Sequence, residues 1–199
     1  MAIDPGTISV AQAAQQIALQ MLEERGRGAV LVGVARVDTA LVHLLEAVMA
    51  PAVGKADGGL FLPDRPLGSL GAKVALARRL ALIDRGVEQA LNALRKLRNA
   101  FAHSAESASL ADPAHRDRLA PIIEEARTNP LWKPLETVLA VQPPSALGPL
   151  DPALRDYILL ITILVAFLES TAQQLQPIQP AVVMRLNGST TRSVAATLA

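Results

Sequence analysis

The sequence predicts an all-α, single-domain helical bundle with a non-helical C-terminal tail, on three observations. Hydrophobic residues fill 51% of the 199 positions and aromatics only 3%, so Leu, Val, Ile and Ala must build the core. Ala and Leu favour helix, and a shortage of aromatics argues against a β-rich fold. Apolar residues also recur at helical spacing in several segments, each bounded by Pro or Gly. The length suits one domain with its own core. The bundle is assigned to residues 1–175 and the tail to 176–199.

The first helix is expected over Ile8–Glu24, capped by Thr7 and interrupted by Gly26 and Gly28. Val30, Val34, Val37, Leu41, Leu44, Leu45 and Val48 then recur at helical spacing, which predicts a second helix over Ala29–Met49, ended by Pro51. Pro51–Leu67, with Gly54, Gly58, Gly59, Pro63 and Pro66, reads as a loop long enough to be functional or interface-forming. Ser69 is placed as the cap of a third helix to Leu82, and Asp84 as the cap of a fourth, Arg85–Ser104. Asp112-Pro113 opens a fifth, to Arg127, with proline tolerated in the first turn. A short helix over Leu131–Leu139 follows, then a Pro143-Pro144 loop. Asp151-Pro152 begins a last helix to Leu175, stopped by Pro177 and Pro180. In the tail, Val182–Leu186 suits an extended strand.

Composition excludes several chemistries. Without cysteine there is no disulfide, zinc finger, iron–sulfur cluster or thiol catalysis. The three histidines, His43, His103 and His115, stand far apart, so neither a metal nor another cofactor is expected. Gly54–Gly59 lacks the Lys-Ser/Thr ending of a phosphate loop. A formal charge of +1 is low for a DNA-binding domain, and no helix pair carries a basic recognition face. The N-terminus has no basic start before an apolar run, so Asn187-Gly188-Ser189 carries no glycosylation reading. The most apolar run read from the sequence, Tyr157–Leu168, is shorter than the about 20 residues a membrane span needs. A cytoplasmic protein without membrane contact is the expectation, with that run buried in the core or in a subunit interface.

Chemistry concentrates in Arg98-Asn99-Ala100-Phe101-Ala102-His103. At about 100° per residue, Val87, Leu91, Leu94 and Phe101 share one stripe, with Leu97 at its edge. Asn99 and His103 stack on one flank with Arg95 a turn earlier, and Lys96 points away from the core. Arg98 falls close to the apolar stripe, so it is expected to be partly buried and hydrogen-bonded to a carboxylate. Asp38 is the first candidate, ahead of Glu24 and Glu46. The residue types fit phosphodiester cleavage, His103 moving the 2′-hydroxyl proton and Arg98 stabilising charge on phosphate. On spacing alone they fit more simply an internal salt bridge at Arg98, a helix-surface hydrogen bonder at Asn99 and a helix-end cation at His103.

Leu67-Gly68-Ser69-Leu70-Gly71-Ala72-Lys73, Leu80-Ala81-Leu82-Ile83 and Leu97–His103 together resemble the mannitol operon repressor family. Glu24-Arg25-Gly26 and Asp38 fit that family's pattern too, whereas Val42 and His43 stand where its members tend to carry a glutamate. The resemblance covers about Glu24 to Ser104. It implies a transcriptional regulator that acts through a protein partner or a homodimer, without reading DNA sequence itself, and it makes Asp38, Lys73 and Arg95 candidate binding residues. Arg-Asn-x-x-x-His also resembles the wider HEPN (higher eukaryote and prokaryote nucleotide-binding) superfamily. Many of its members are metal-independent ribonucleases that pair two such motifs across a dimer. That resemblance implies RNA as a partner, Arg98 and His103 as catalytic and Asn99 as orienting. A structural domain without activity is the third alternative. Exposed parts of Tyr157–Leu168 and the tail are the expected contact surfaces.

Overall fold

The computed structural model describes residues 5–54, 59–103, 108–141, 150–179, 182–184, 186 and 190–192. The expected helix end at Ser104, the Pro143-Pro144 turn, Gly58, Pro180 and Asn187-Gly188-Ser189 lie outside them. The helices are α1 (Pro5–Val48), α2 (Leu70–Arg79), α3 (Arg85–His103), α4 (Pro113–Ala126), α5 (Trp132–Val141) and α6 (Pro152–Gln174). The chain is an all-α bundle, to which the tail adds a small antiparallel hairpin of β1 (Val182–Met184) and β2 (Thr190–Arg192).

Every side chain of α6 from Tyr157 through Ala166 is buried. A helix apolar on all sides has to be surrounded, and α1, α4 and α5 pack around this one. Tyr157–Leu168 is therefore core, and of that expected contact surface only Phe167 is exposed. The broadest interface, α1 on α6, closes at Gly33. A Cβ there would stand 2.6 Å from Tyr157 Oη and 3.2 Å from Ile161 Cγ1. With no side chain in the way, the Tyr157 hydroxyl donates to the Val30 carbonyl at 2.9 Å.

The two helices expected over Ile8–Met49 are one helical run of 44 residues, and Thr7 lies inside it rather than at its cap. Proline is compatible with the first turn, which lets the run begin at Pro5. The expected interruption survives as a single residue, Gly26, whose φ of +53° is left-handed. Beyond it Val30, Val34, Val37, Leu41, Leu44, Leu45 and Val48 are all buried, as their spacing predicts. A longer segment of apolar average composition, interrupted by charged residues, is also here. Gly26–Val48, 23 residues at mean hydropathy 1.6, is long and apolar enough to cross a membrane, and half of its most apolar stretch is buried within the bundle. A buried core helix meets the same criterion.

Ser69 caps α2, accepting from Ala72 N at 3.1 Å. The helix stops at Arg79, short of the expected Leu82, because Ala81 turns left-handed at φ +57° and Leu82 N bonds back to Ala77 O at 3.0 Å. Asp84 caps α3 through Val87 N at 2.8 Å, and Asp151 caps α6 through Ala153 N and Leu154 N. Asp112 makes no such bond into α4; its carboxylate accepts from Ser109 N instead. The tail is tied down where Ile178 N donates to Val48 O at 2.8 Å, and Val183 pairs with Thr191 in the hairpin.

Two tests follow from the α1–α6 contact. Gly33→Ala should cost about 1–3 kcal/mol by denaturant unfolding, and less when Tyr157→Phe has removed the hydroxyl it meets; strictly additive losses would refute the steric account. Burial pushes the Tyr157 phenol above its ordinary pKa of 10.0. The unfolded chain therefore releases this proton near pH 10.0 while the folded chain keeps it, and stability is full below that pH and falls above it. Because the chain has a single tyrosine, tyrosinate absorbance should stay silent in alkali until helical circular dichroism is lost.

Candidate functional site

The side of α3 that packs inward consists of Ala90, Leu91, Ala93, Leu94, Leu97 and Phe101. It is rotated toward Ala90, Ala93 and Leu97 relative to the stripe expected from Val87, which is only half-buried. That rotation places Arg98 on the rim. Arg98 is exposed and makes no ion pair among the described residues, which corrects the expectation of a partly buried arginine bonded to Asp38. Asn99 and His103 are exposed as well. Beside them Arg27 of α1 donates to the Ala102 carbonyl at 3.0 Å, satisfying one of the acceptors a helix leaves open at its C-terminus.

Asp38 is taken instead by Lys73. The Lys73 Nζ lies 2.6 Å from Asp38 Oδ1, at angles outside hydrogen-bond geometry. The lysine side chain is 3% exposed and the aspartate 35%. An ammonium so far from water needs a countercharge, and this pair pins α2 to α1. The neighbouring motif residues serve the same placement. A Cβ on Gly68 would collide with the Leu62 and Pro63 carbonyls, so only glycine fits before the Ser69 cap. Arg95 is half-buried and lies along α2, with its Nη1 3.6 Å from where a Gly71 Cβ would be. Of the candidate residues, Arg98, Asn99 and His103 share the C-terminal end of α3, whereas Asp38, Lys73 and Arg95 join helices.

Other polar contacts are absent from the sequence reading. His43 Nδ1 meets the Glu169 carboxylate at 2.8 and 3.0 Å, linking α1 to α6. Asp156, nearly buried, accepts from Arg127 Nη2 at 2.8 Å and from Arg155 Nε and Nη2 at 3.0 and 2.8 Å. Arg155 also approaches Glu136, and Arg127 lies over the Trp132 ring, so the cluster joins α4, α5 and α6. The Asp156 hydrogen bond raises the Arg127 pKa above its ordinary value, against the opposing effect of burial. The one sequence signal for this cluster is a charged pair, Arg155-Asp156, at the start of the most buried helix. His115 packs on Phe101, ring centroids 5.1 Å apart. Among the described residues no three His, Asp or Glu come together as metal ligands.

Arg98 and His103 are five residues apart, roughly 140° around a helix, so one α3 turns them to different sides. Asn99 and His103, four apart, share a side. Against known protein families, curated proteins and solved structures, the chain matches none.

Denaturant unfolding tests the Asp38–Lys73 pair. Asp38→Asn leaves a buried ammonium alone and should cost about 3 kcal/mol. Lys73→Met leaves an aspartate that reaches water and should cost about 1 kcal/mol or less. The reverse order would mean that the lysine does not need this carboxylate.

Proposed function

We propose that the chain is a cytoplasmic transcriptional regulator of the mannitol-repressor type, acting through protein–protein contact as a homodimer or with a protein partner, without a DNA-reading element of its own. One observation carries this reading: Arg98, Asn99 and His103 are all exposed at one end of α3, and Arg98 makes no ion pair within the described chain. Arg127 and Arg155, which join helices on Asp156, are ion-paired. Arg98 instead offers its planar donor fork outward, in the form that recognises a carboxylate on another surface.

The second reading is a metal-independent ribonuclease of the HEPN type. It is favoured by Arg27, which brings another guanidinium to the end of α3 beside His103. In that reading His103 takes the 2′-hydroxyl proton, Arg98 stabilises charge on the phosphate, and a second copy supplies the groups that one helix turns away.

Two measurements on the same variants separate the readings. Purified chain and its His103→Ala variant are incubated with mixed RNA in chelator, and transcripts are compared between cells making the intact chain and cells making Arg98→Ala/His103→Ala. The regulator leaves RNA intact, and its transcript changes vanish in the double variant. RNA ends carrying 2′,3′-cyclic phosphate, formed by the parent and not by His103→Ala, would replace the regulator with the nuclease. Transcripts that change equally with both proteins would refute a role for this surface in regulation.

A further inference from the structure

The outward side of α3 is polar along its whole length. Taken at alternating steps of four and three residues, it reads Arg85, Gln89, Asn92, Lys96, Asn99 and His103. Over the first four of these α4 lies alongside and contributes Arg118, making a groove of about 390 Å³. Glu88 is the one carboxylate on its wall, and Arg78 already holds it, Nε to Oε2 at 3.4 Å.

Arg85, Lys96 and Arg118 thus face one groove with no carboxylate paired to any of them among the described residues. Arg85 and Lys96 are eleven residues apart, roughly 16 Å along the helix, and stand at opposite ends, while Arg118 enters near Lys96, because α4 meets α3 at His115–Phe101 and at Glu125–Gly86. Three cations lining one groove without a paired carboxylate give it a positive potential, which favours an anion. Guanidinium forks and an ammonium match the oxygens of a phosphoryl group. Between Arg85 and Lys96 the wall carries Gln89, Asn92 and Ala93 beside the Arg78-paired Glu88. Asn92 Nδ2 is committed to the Glu88 carbonyl at 3.1 Å, which leaves Oδ1 as an acceptor, and Gln89 adds a second amide. The volume falls within the range of about 300–1,000 Å³ that holds one small molecule.

We propose that this groove binds a small phosphate monoester, Lys96 and Arg118 holding the phosphoryl oxygens while the amides of Gln89 and Asn92, with Arg85 beyond them, bind the remainder. The site is separate from Arg98 and His103 and does not rest on the regulatory reading.

The test is calorimetric titration of the full chain with inorganic phosphate, glycerol phosphate and adenosine monophosphate, and separately with a short single-stranded RNA. A monoester should saturate one site per chain and bind more tightly than inorganic phosphate. Arg118→Gln and Lys96→Gln should each weaken it about tenfold, with helical circular dichroism unchanged because both side chains are exposed. Arg65→Gln, in the loop before α2, should leave binding as it was. No saturable heat, or an equal loss in Arg65→Gln, would overturn the site. Inorganic phosphate binding with the monoesters excluded would overturn the occupant. So would RNA binding of steep salt dependence with no monoester bound, which would mark a polyanion surface instead.

Discussion

The close approach of α1 and α6 at Gly33 and Tyr157 is the constraint on which the other contacts depend. Absence of a side chain at Gly33 admits the tyrosine, and the tyrosine hydroxyl bonds to the Val30 carbonyl. With that spacing set, both helices act as supports. α6 holds α4 through Asp156 and Arg127, and reaches α5 through Arg155 and Glu136. α1 carries α3 on its apolar side and α2 through Asp38 and Lys73. Charged pairs therefore sit at the margins where helices meet, around a core of aliphatic side chains.

This arrangement gives α3 two separate polar surfaces. Its inward side is spent on Ala90, Leu91, Ala93, Leu94, Leu97 and Phe101. Of what remains, the N-terminal two-thirds forms a groove with α4, and the C-terminal end displays Arg98, Asn99 and His103 with Arg27 alongside. One rigid element thus connects both surfaces, so a change in how α3 lies against α1 and α4 moves them together. Elements of this kind couple distant sites when two packings are close in energy.

Much of the bundle was legible in the sequence because its signals are local. The spacing of Val30 to Val48, the caps Ser69, Asp84 and Asp151, and the proline starts of α4 and α6 all act within a turn or two of helix. What escaped depends on particular partners. Arg98 was misplaced because Ala90 and Ala93, too small to weigh in an apolar stripe, decide how α3 is rotated. Gly26 looked like a break because glycine disfavours helix, yet one left-handed residue sufficed and the helical run continued past it. His43 and Glu169 are 126 positions apart, and Arg127 and Asp156 are 29 apart. No local pattern ties such residues. For the candidate site, the sequence located Arg98, Asn99 and His103 on one helix end but assigned Asp38 the wrong partner.

The Tyr157–Val30 bond joins residues 127 positions apart, and that separation bears on how the protein is made. At about 5–20 residues per second, Val30 is added to the chain roughly 6–25 s before its partner. For that interval the apolar stretch Gly26–Val48 waits without the helix that covers it most. Chaperones and the membrane-insertion machinery both bind nascent segments of this composition. Arg36 and Asp38, inside the stretch, are charges that cost about 2.5–3.5 kcal/mol each at a bilayer centre. Asp38, which holds α2 in the finished bundle, thus also raises the cost of placing this helix in a bilayer.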